Sequence, residues 1–201
     1  ENVTLIKGSG INLNLYPNFN FQGKKNNIVL PARLIKEKGV IEFLDAAKIV
    51  KKKYNEWKFL IVGQFDYQSP SLLKINDLRE KYGDIVSFID YKSSLHDLFI
   101  DSSIVCLPSY REGMPKVILE ASAAGCAIIT TDVIGCRESI IHNYSGELIS
   151  AKDYLELSKT IIKYIENCDL REIYGKNARN YALKYYSVES VIKKHFTIYN
   201  K

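Results

Sequence analysis

Two glutamates, Glu112 and Glu120, stand eight positions apart in the segment Ser109-Tyr110-Arg111-Glu112-Gly113-Met114-Pro115-Lys116-Val117-Ile118-Leu119-Glu120, which runs on into small residues from Ala121 to Gly125. Glu112 falls in a glycine-containing turn just past the apolar run Ile104 to Leu107, and Glu120 is the only acid in an otherwise apolar helical stretch. Pro115 is expected in the first helical turn, where its missing N–H costs nothing and its fixed φ suits the helix. The amides on either side of it are then unpaired donors at the positive end of a helix dipole, a place suited to phosphate or sugar oxygens. Each carboxylate also has a plainer role. Glu112 can be a solvated turn residue that suits the dipole, and Glu120 can pair with Lys116 one helical turn earlier. Against the plainer role of Glu120 stands the expense of burying a carboxylate among Val117, Ile118, Leu119 and Ala121 without a polar ligand.

A second pattern is Ala32-Arg33-Leu34-Ile35-Lys36-Glu37-Lys38-Gly39. Arg33 follows a strand and Lys38 precedes a helix, so the two cations can hold a diphosphate, Arg by its fork and Lys as a point charge. Alone they read as surface charges at a loop; beside the carboxylate motif the ligand role is the better reading. Two carboxylates suggest the acid and base of a glycosidase at first sight, but a turn position and a helical position beside two cations fit two parts of one ligand better.

These residues need a scaffold to bring them together. Val3 to Ile6 reads as a short strand, and Ile11 to Asn26 as a connecting loop broken by Pro17 and Gly23. Strands are expected at Asn27–Leu34, Trp57–Val62, Ile85–Ile89, Ile104–Leu107, Ala127–Thr130 and near Gly146–Ile149. Helices are expected at Lys38–Lys53, Ser71–Tyr82, Leu95–Ile100 and Pro115–Ala124, and from Lys152 to the end with breaks near Cys168-Asp169 and Ser187. Short continuous apolar strands alternating with helices imply an α/β fold, a Rossmann-like parallel sheet with helices on both faces. Ligands of such sheets bind at the carboxyl ends of the strands, where Arg33, Gly63, Asp90, Glu112 and Thr131 all fall.

Composition narrows the classes. At 201 residues, with 46% hydrophobic and 25% charged residues, the chain has room for one large domain or two small ones around a real core. No apolar run approaches a membrane span and no signal-peptide pattern opens the chain, so a cytoplasmic setting is expected. Cys106, Cys126, Cys136 and Cys168 lack the spacing of a zinc site and read as reduced thiols. The net charge of +5 is spread along the chain and, without interleaved exposed aromatics, gives no footprint for nucleic acid. Gly8-Ser9-Gly10 starts like a dinucleotide fingerprint but lacks the third glycine and is read as a turn. His96, His142 and His195 share no useful spacing, and Tyr181, Tyr185 and Tyr186 read as helix packing. With Met114 the sole methionine and Glu1 in first place, the chain is expected to be a piece of a longer protein.

Arg33 with Lys38-Gly39, Val62-Gly63, the run Leu107 to Pro115 with Glu120-Ala121, Ala124-Gly125, and Thr131-Asp132 with Gly135-Cys136-Arg137-Glu138 resemble retaining glycosyltransferase family 4. The match is to its C-terminal, nucleotide-sugar-binding domain in the two-domain GT-B fold. The Gly135 to Glu138 phrase is similar to that of bacterial members building lipid-linked glycans, capsule or O-antigen. The resemblance implies that Arg33 and Lys38 neutralise the donor diphosphate and that Glu112 contacts donor-sugar hydroxyls. It implies that Gly113, Met114, Pro115 and Lys116 approach sugar and phosphate through backbone, that Glu120 accepts the ribose hydroxyls, and that Gly63, Ile89, Asp90 and Tyr91 lie around the nucleotide. Glu112, Arg33 and Lys38 are then the catalytic group. The substrate would be a nucleotide-diphosphate sugar, UDP-linked by family habit, with no cofactor and no metal.

By the same resemblance, residues 1–26 are linker and first strand, 27–187 the Rossmann-like domain, and 188–201 a helix that crosses to an N-terminal acceptor domain absent from the chain. A lipid-linked or glycan acceptor, attachment at the inner membrane face, and little or no turnover by this piece alone follow as expectations. Two rivals stay open: a nucleotide-cofactor enzyme such as a dehydrogenase, and a non-catalytic sugar-nucleotide sensor or subunit.

Overall fold

In a computed structural model that describes residues 8, 10–17, 20–63, 73–90 and 94–199, six strands pair into one parallel sheet. They are β1 (Lys25–Pro31), β2 (Lys58–Gly63), β3 (Val86–Asp90), β4 (Ser102–Leu107), β5 (Ala127–Thr131) and β6 (Glu147–Ile149), in the order β3-β2-β1-β4-β5-β6. The central strands are apolar without alternation because both faces are covered: Ile28, Val29, Leu30, Ile104, Val105, Cys106, Ile128 and Ile129 are all fully buried. The chain reverses its direction of travel across the sheet between β1 and β4, where Ile28 lies opposite Ile104 and Val29 opposite Val105. Loops leaving those two strands diverge and open a crevice at the switch point.

Helices cover the sheet: α1 (Val40–Lys51), α2 (Ile75–Tyr82), α3 (His96–Asp101), α4 (Lys116–Ala123), α5 (Cys136–Ser139), α6 (Tyr154–Glu166), α7 (Cys168–Tyr185) and α8 (Val188–Tyr199). α1 buries Val40, Phe43, Leu44, Ala46, Ala47 and Val50 and packs on α6, while α4 packs on α7. Buried Arg171 caps the carboxyl end of α6 through the carbonyls of Tyr164 and Ile165 and lies over the Trp57 ring. Tyr181 packs edge-on against Tyr186, as the helix-packing reading expects. No described helix is long and apolar enough to cross a membrane.

Several boundaries differ from the sequence reading, each for a local reason. β1 ends at Pro31 rather than Leu34, since the ladder's last bond comes from Ala32 N–H to Val62. β4 begins two residues earlier, at Ser102. Two serines made its start look polar, but their hydroxyls are satisfied internally by the carbonyls of Leu98 and Lys25. Pro115 is the N-cap of α4, with extended backbone (φ −74°, ψ 97°), and not its first helical residue. The expected α2 start at Ser71, the strand Val3–Ile6 and Tyr91 lie outside the described residues.

The segment before β1 is less of a free connector than expected. Ile11 exchanges backbone hydrogen bonds with Tyr186 and Val188, and Lys24 Nζ donates to the carbonyls of Phe99, Ile100 and Ser102 at the end of α3.

Candidate functional site

Two loops at the switch point are locked together by glycine. Gly39, in the left-handed region at φ +70°, ends the 3-10 turn Lys36–Lys38 and begins α1; a Cβ there would stand 2.1 Å from the Pro108 carbonyl oxygen. Gly63, at the end of β2, leaves no room either, with the Ala32 carbonyl oxygen 1.8 Å from a Cβ position. The turn carrying Glu112 is held from the other side too. Tyr110 donates its N–H to Glu37 and its hydroxyl to Glu42 of α1, and Lys152 lies over its ring. Thr131, at the end of β5, donates to the Ser109 carbonyl at 2.5 Å. The turn is thus fixed to the β1–α1 loop, to α1 and to the end of β5.

On this frame Glu112 is no solvated turn residue. Its Oε1 accepts from Lys38 Nζ at 2.5 Å and from Ser109 Oγ at 2.9 Å, and its side chain is 14% exposed. No described residue donates to its Oε2. The sequence gives Lys38 and Glu112 separate roles, toward diphosphate and toward sugar hydroxyls, and does not pair them. A half-buried pair of this kind is costly to break from one side, because the remaining charge stays desolvated.

Glu120 lies one turn along α4. It is 3.6 Å from Lys116, and it also lines the cavity. Burial pushes its carboxyl above the ordinary value of 4.5, and Lys116 offsets only part of that. At the start of α4, Pro115 has no side-chain cap on the helix, so the first amides have no intrahelical acceptor and point the dipole's positive end outward.

These groups border one cavity of about 420 Å³, the size of a small-molecule site. Of the residues anticipated from sequence, Arg33, Lys38, Gly63, Glu112, Met114, Pro115, Lys116 and Glu120 line it. Ile89 and Asp90 do not; they sit at the exposed end of edge strand β3, and Leu95 lines that side of the cavity instead. Gly113 is exposed and does not line it either, and a Cβ added there would meet nothing within 4 Å. Ser109 carried no role in the sequence reading, although it stands three residues before Glu112, within reach across a tight turn. Chemically, the cavity offers a guanidinium and a helix N-terminus to an anion, with two carboxylates as acceptors for hydroxyls on either side.

The family described as "Glycosyl transferases group 1" matches residues 15–181. The chain belongs to this family. It is 34% identical over 197 residues to the N,N'-diacetylbacillosaminyl-diphospho-undecaprenol alpha-1,3-N-acetylgalactosaminyltransferase of Campylobacter jejuni, covering 91% of this chain and 50% of that protein. The chain thus spans about half the length of that relative. Among solved structures, Anabaena HepE in complex with UDP-glucose has the same fold, with a TM-score of 0.83 at 19% identity over 96% of this chain and 56% of that one. The C-terminal domain of the glycosyl transferase group 1 protein LpcC from Francisella tularensis matches with a TM-score of 0.74 at 23% identity, over 89% of this chain and 99% of that one. A group 1 glycosyltransferase of GT-B fold therefore accounts for the parallel sheet and its switch-point cavity.

Proposed function

We propose that this chain is the donor-binding half of a retaining glycosyltransferase that takes a UDP-sugar and works without a bound metal. The observation that carries the reading is the convergence of Arg33, the α4 N-terminus, Glu112 and Glu120 on one cavity at the switch point. The diphosphate lies between Arg33 and the α4 amides. Glu120 accepts the ribose hydroxyls and Glu112 those of the donor sugar. Lys38, paired with Glu112 Oε1, turns to the diphosphate as the donor enters.

Transfer breaks the bond between the anomeric carbon and the diphosphate oxygen, which leaves with the electron pair. The acceptor hydroxyl forms the new bond on the same face, giving its proton to a donor phosphate oxygen. Arg33, Lys38 and the helix N-terminus stabilise the charge that develops on the leaving group. The Campylobacter relative's name specifies an alpha linkage formed on a diphospho-undecaprenol-linked acceptor, which supports a lipid-linked or glycan acceptor here. HepE bound to UDP-glucose supports UDP as the nucleotide. The acceptor site belongs to an N-terminal half, so this chain alone turns over little or nothing.

Calorimetry with Arg33→Ala tests the diphosphate role. The variant is expected to weaken UDP roughly tenfold or more, the worth of a charge-assisted contact, and to leave uridine within twofold. Equal losses for the two ligands would remove Arg33 from the diphosphate site.

A further inference from the structure

Ser109 is fully buried between β4 and the Glu112 turn, and its hydroxyl is spent in an unusual direction. The buried serines Ser102, Ser103 and Ser139 give their hydroxyls to the backbone carbonyls of Leu98, Lys25 and Cys136. Ser109 gives its own to a carboxylate, Glu112 Oε1, at 2.9 Å. Its backbone is pinned in turn by the Thr131 hydroxyl.

We infer that Ser109 is a positioning residue that fixes the Glu112 carboxylate so that Oε2 is the oxygen offered to a hydroxyl of the donor sugar; this rests on the donor-binding reading above. Lys38 donates to the same oxygen, but an ammonium on a four-carbon stem supplies charge rather than orientation. A short hydroxyl on an anchored backbone supplies the orientation. Once a diphosphate draws Lys38 away, Ser109 is the donor that remains on Oε1.

The test compares UDP with UDP-glucose, UDP-galactose, UDP-GlcNAc and UDP-GalNAc by calorimetry on the 201-residue chain, in wild type, Ser109→Ala, Glu112→Gln and the double variant. Ser109→Ala is expected to leave UDP affinity within twofold and to weaken the tightest-binding UDP-sugar about tenfold. In the Glu112→Gln background the same change is expected to add less than twofold, since its target is already altered. Equal losses for UDP and UDP-sugar, no loss, full additivity with Glu112→Gln, or a Ser109→Ala chain that does not fold would each overturn the positioning role. If wild type binds none of the ligands, the donor reading itself falls; if wild type binds and only the variant ratios stay flat, the donor reading stands and Ser109 alone is dismissed.

Discussion

Glu120 shows how function and stability pull apart at a single residue. Its carboxyl is raised above 4.5 chiefly by burial, so the folded chain binds that proton more readily than the unfolded chain does. The charge therefore costs stability above the raised value, and the cost is relieved as pH falls through it. An acceptor for ribose hydroxyls must stay ionised, which gives binding the opposite trend. The affinity of wild type for a UDP-sugar is expected to fall as pH drops from neutrality toward that raised value. Glu120→Gln is expected to bind roughly tenfold more weakly at pH 7, to lose that pH dependence, and to melt no lower than wild type. Calorimetry across the range with a matched thermal melt checks all three.

The sequence reading found Glu120 because a lone acid in an apolar helix needs a reason. It found Glu112 but not its partners. A lysine 74 positions away and a serine three positions away are joined only by the fold, and nothing in their spacing along the chain pairs Lys38 with Glu112.

At the scale of elements, the site depends on how closely loops approach, and glycines mark the approaches. Gly39 and Gly113 make contrasting cases. A methyl at Gly39 meets the Pro108 carbonyl at 2.1 Å in a left-handed backbone, while one at Gly113 meets nothing. Gly39→Ala is expected to cost on the order of 3 kcal/mol and to part the β1–α1 loop from the Glu112 turn. Gly113→Ala is expected to change stability by less than about 0.5 kcal/mol. Denaturant unfolding separates the two; a Gly39→Ala chain as stable as wild type would contradict the locked-loop description.

The strands themselves were legible, because continuous apolar runs bounded by turns leave few alternatives. Their ends were less so. Buried serines at the start of β4 imitate a loop until the carbonyls that satisfy them are known, and α5 is a single turn too short to show a period. The proline that opens α4 is ambiguous by one position, since its fixed φ suits an N-cap and a first helical turn alike.

For the whole molecule, the described fold is one sheet with one functional rim, and α8 is its least covered element. Val191 is its sole buried residue, while Ile192, Phe196 and Tyr199 are exposed on the same helix. The backbone pairing of Ile11 with the start of α8 ties the segment before β1 to the same helix.

Whether this chain alone holds a nucleotide sugar is decided most directly by titrating it with UDP, the four UDP-sugars and NAD, in wild type and in Glu120→Ala. UDP and at least one UDP-sugar are expected to bind wild type, NAD is not, and Glu120→Ala is expected to weaken the UDP ligands about tenfold. Binding of NAD in preference to every UDP ligand, or UDP affinity unchanged by Glu120→Ala, would contradict the assignment of the switch-point cavity to the donor.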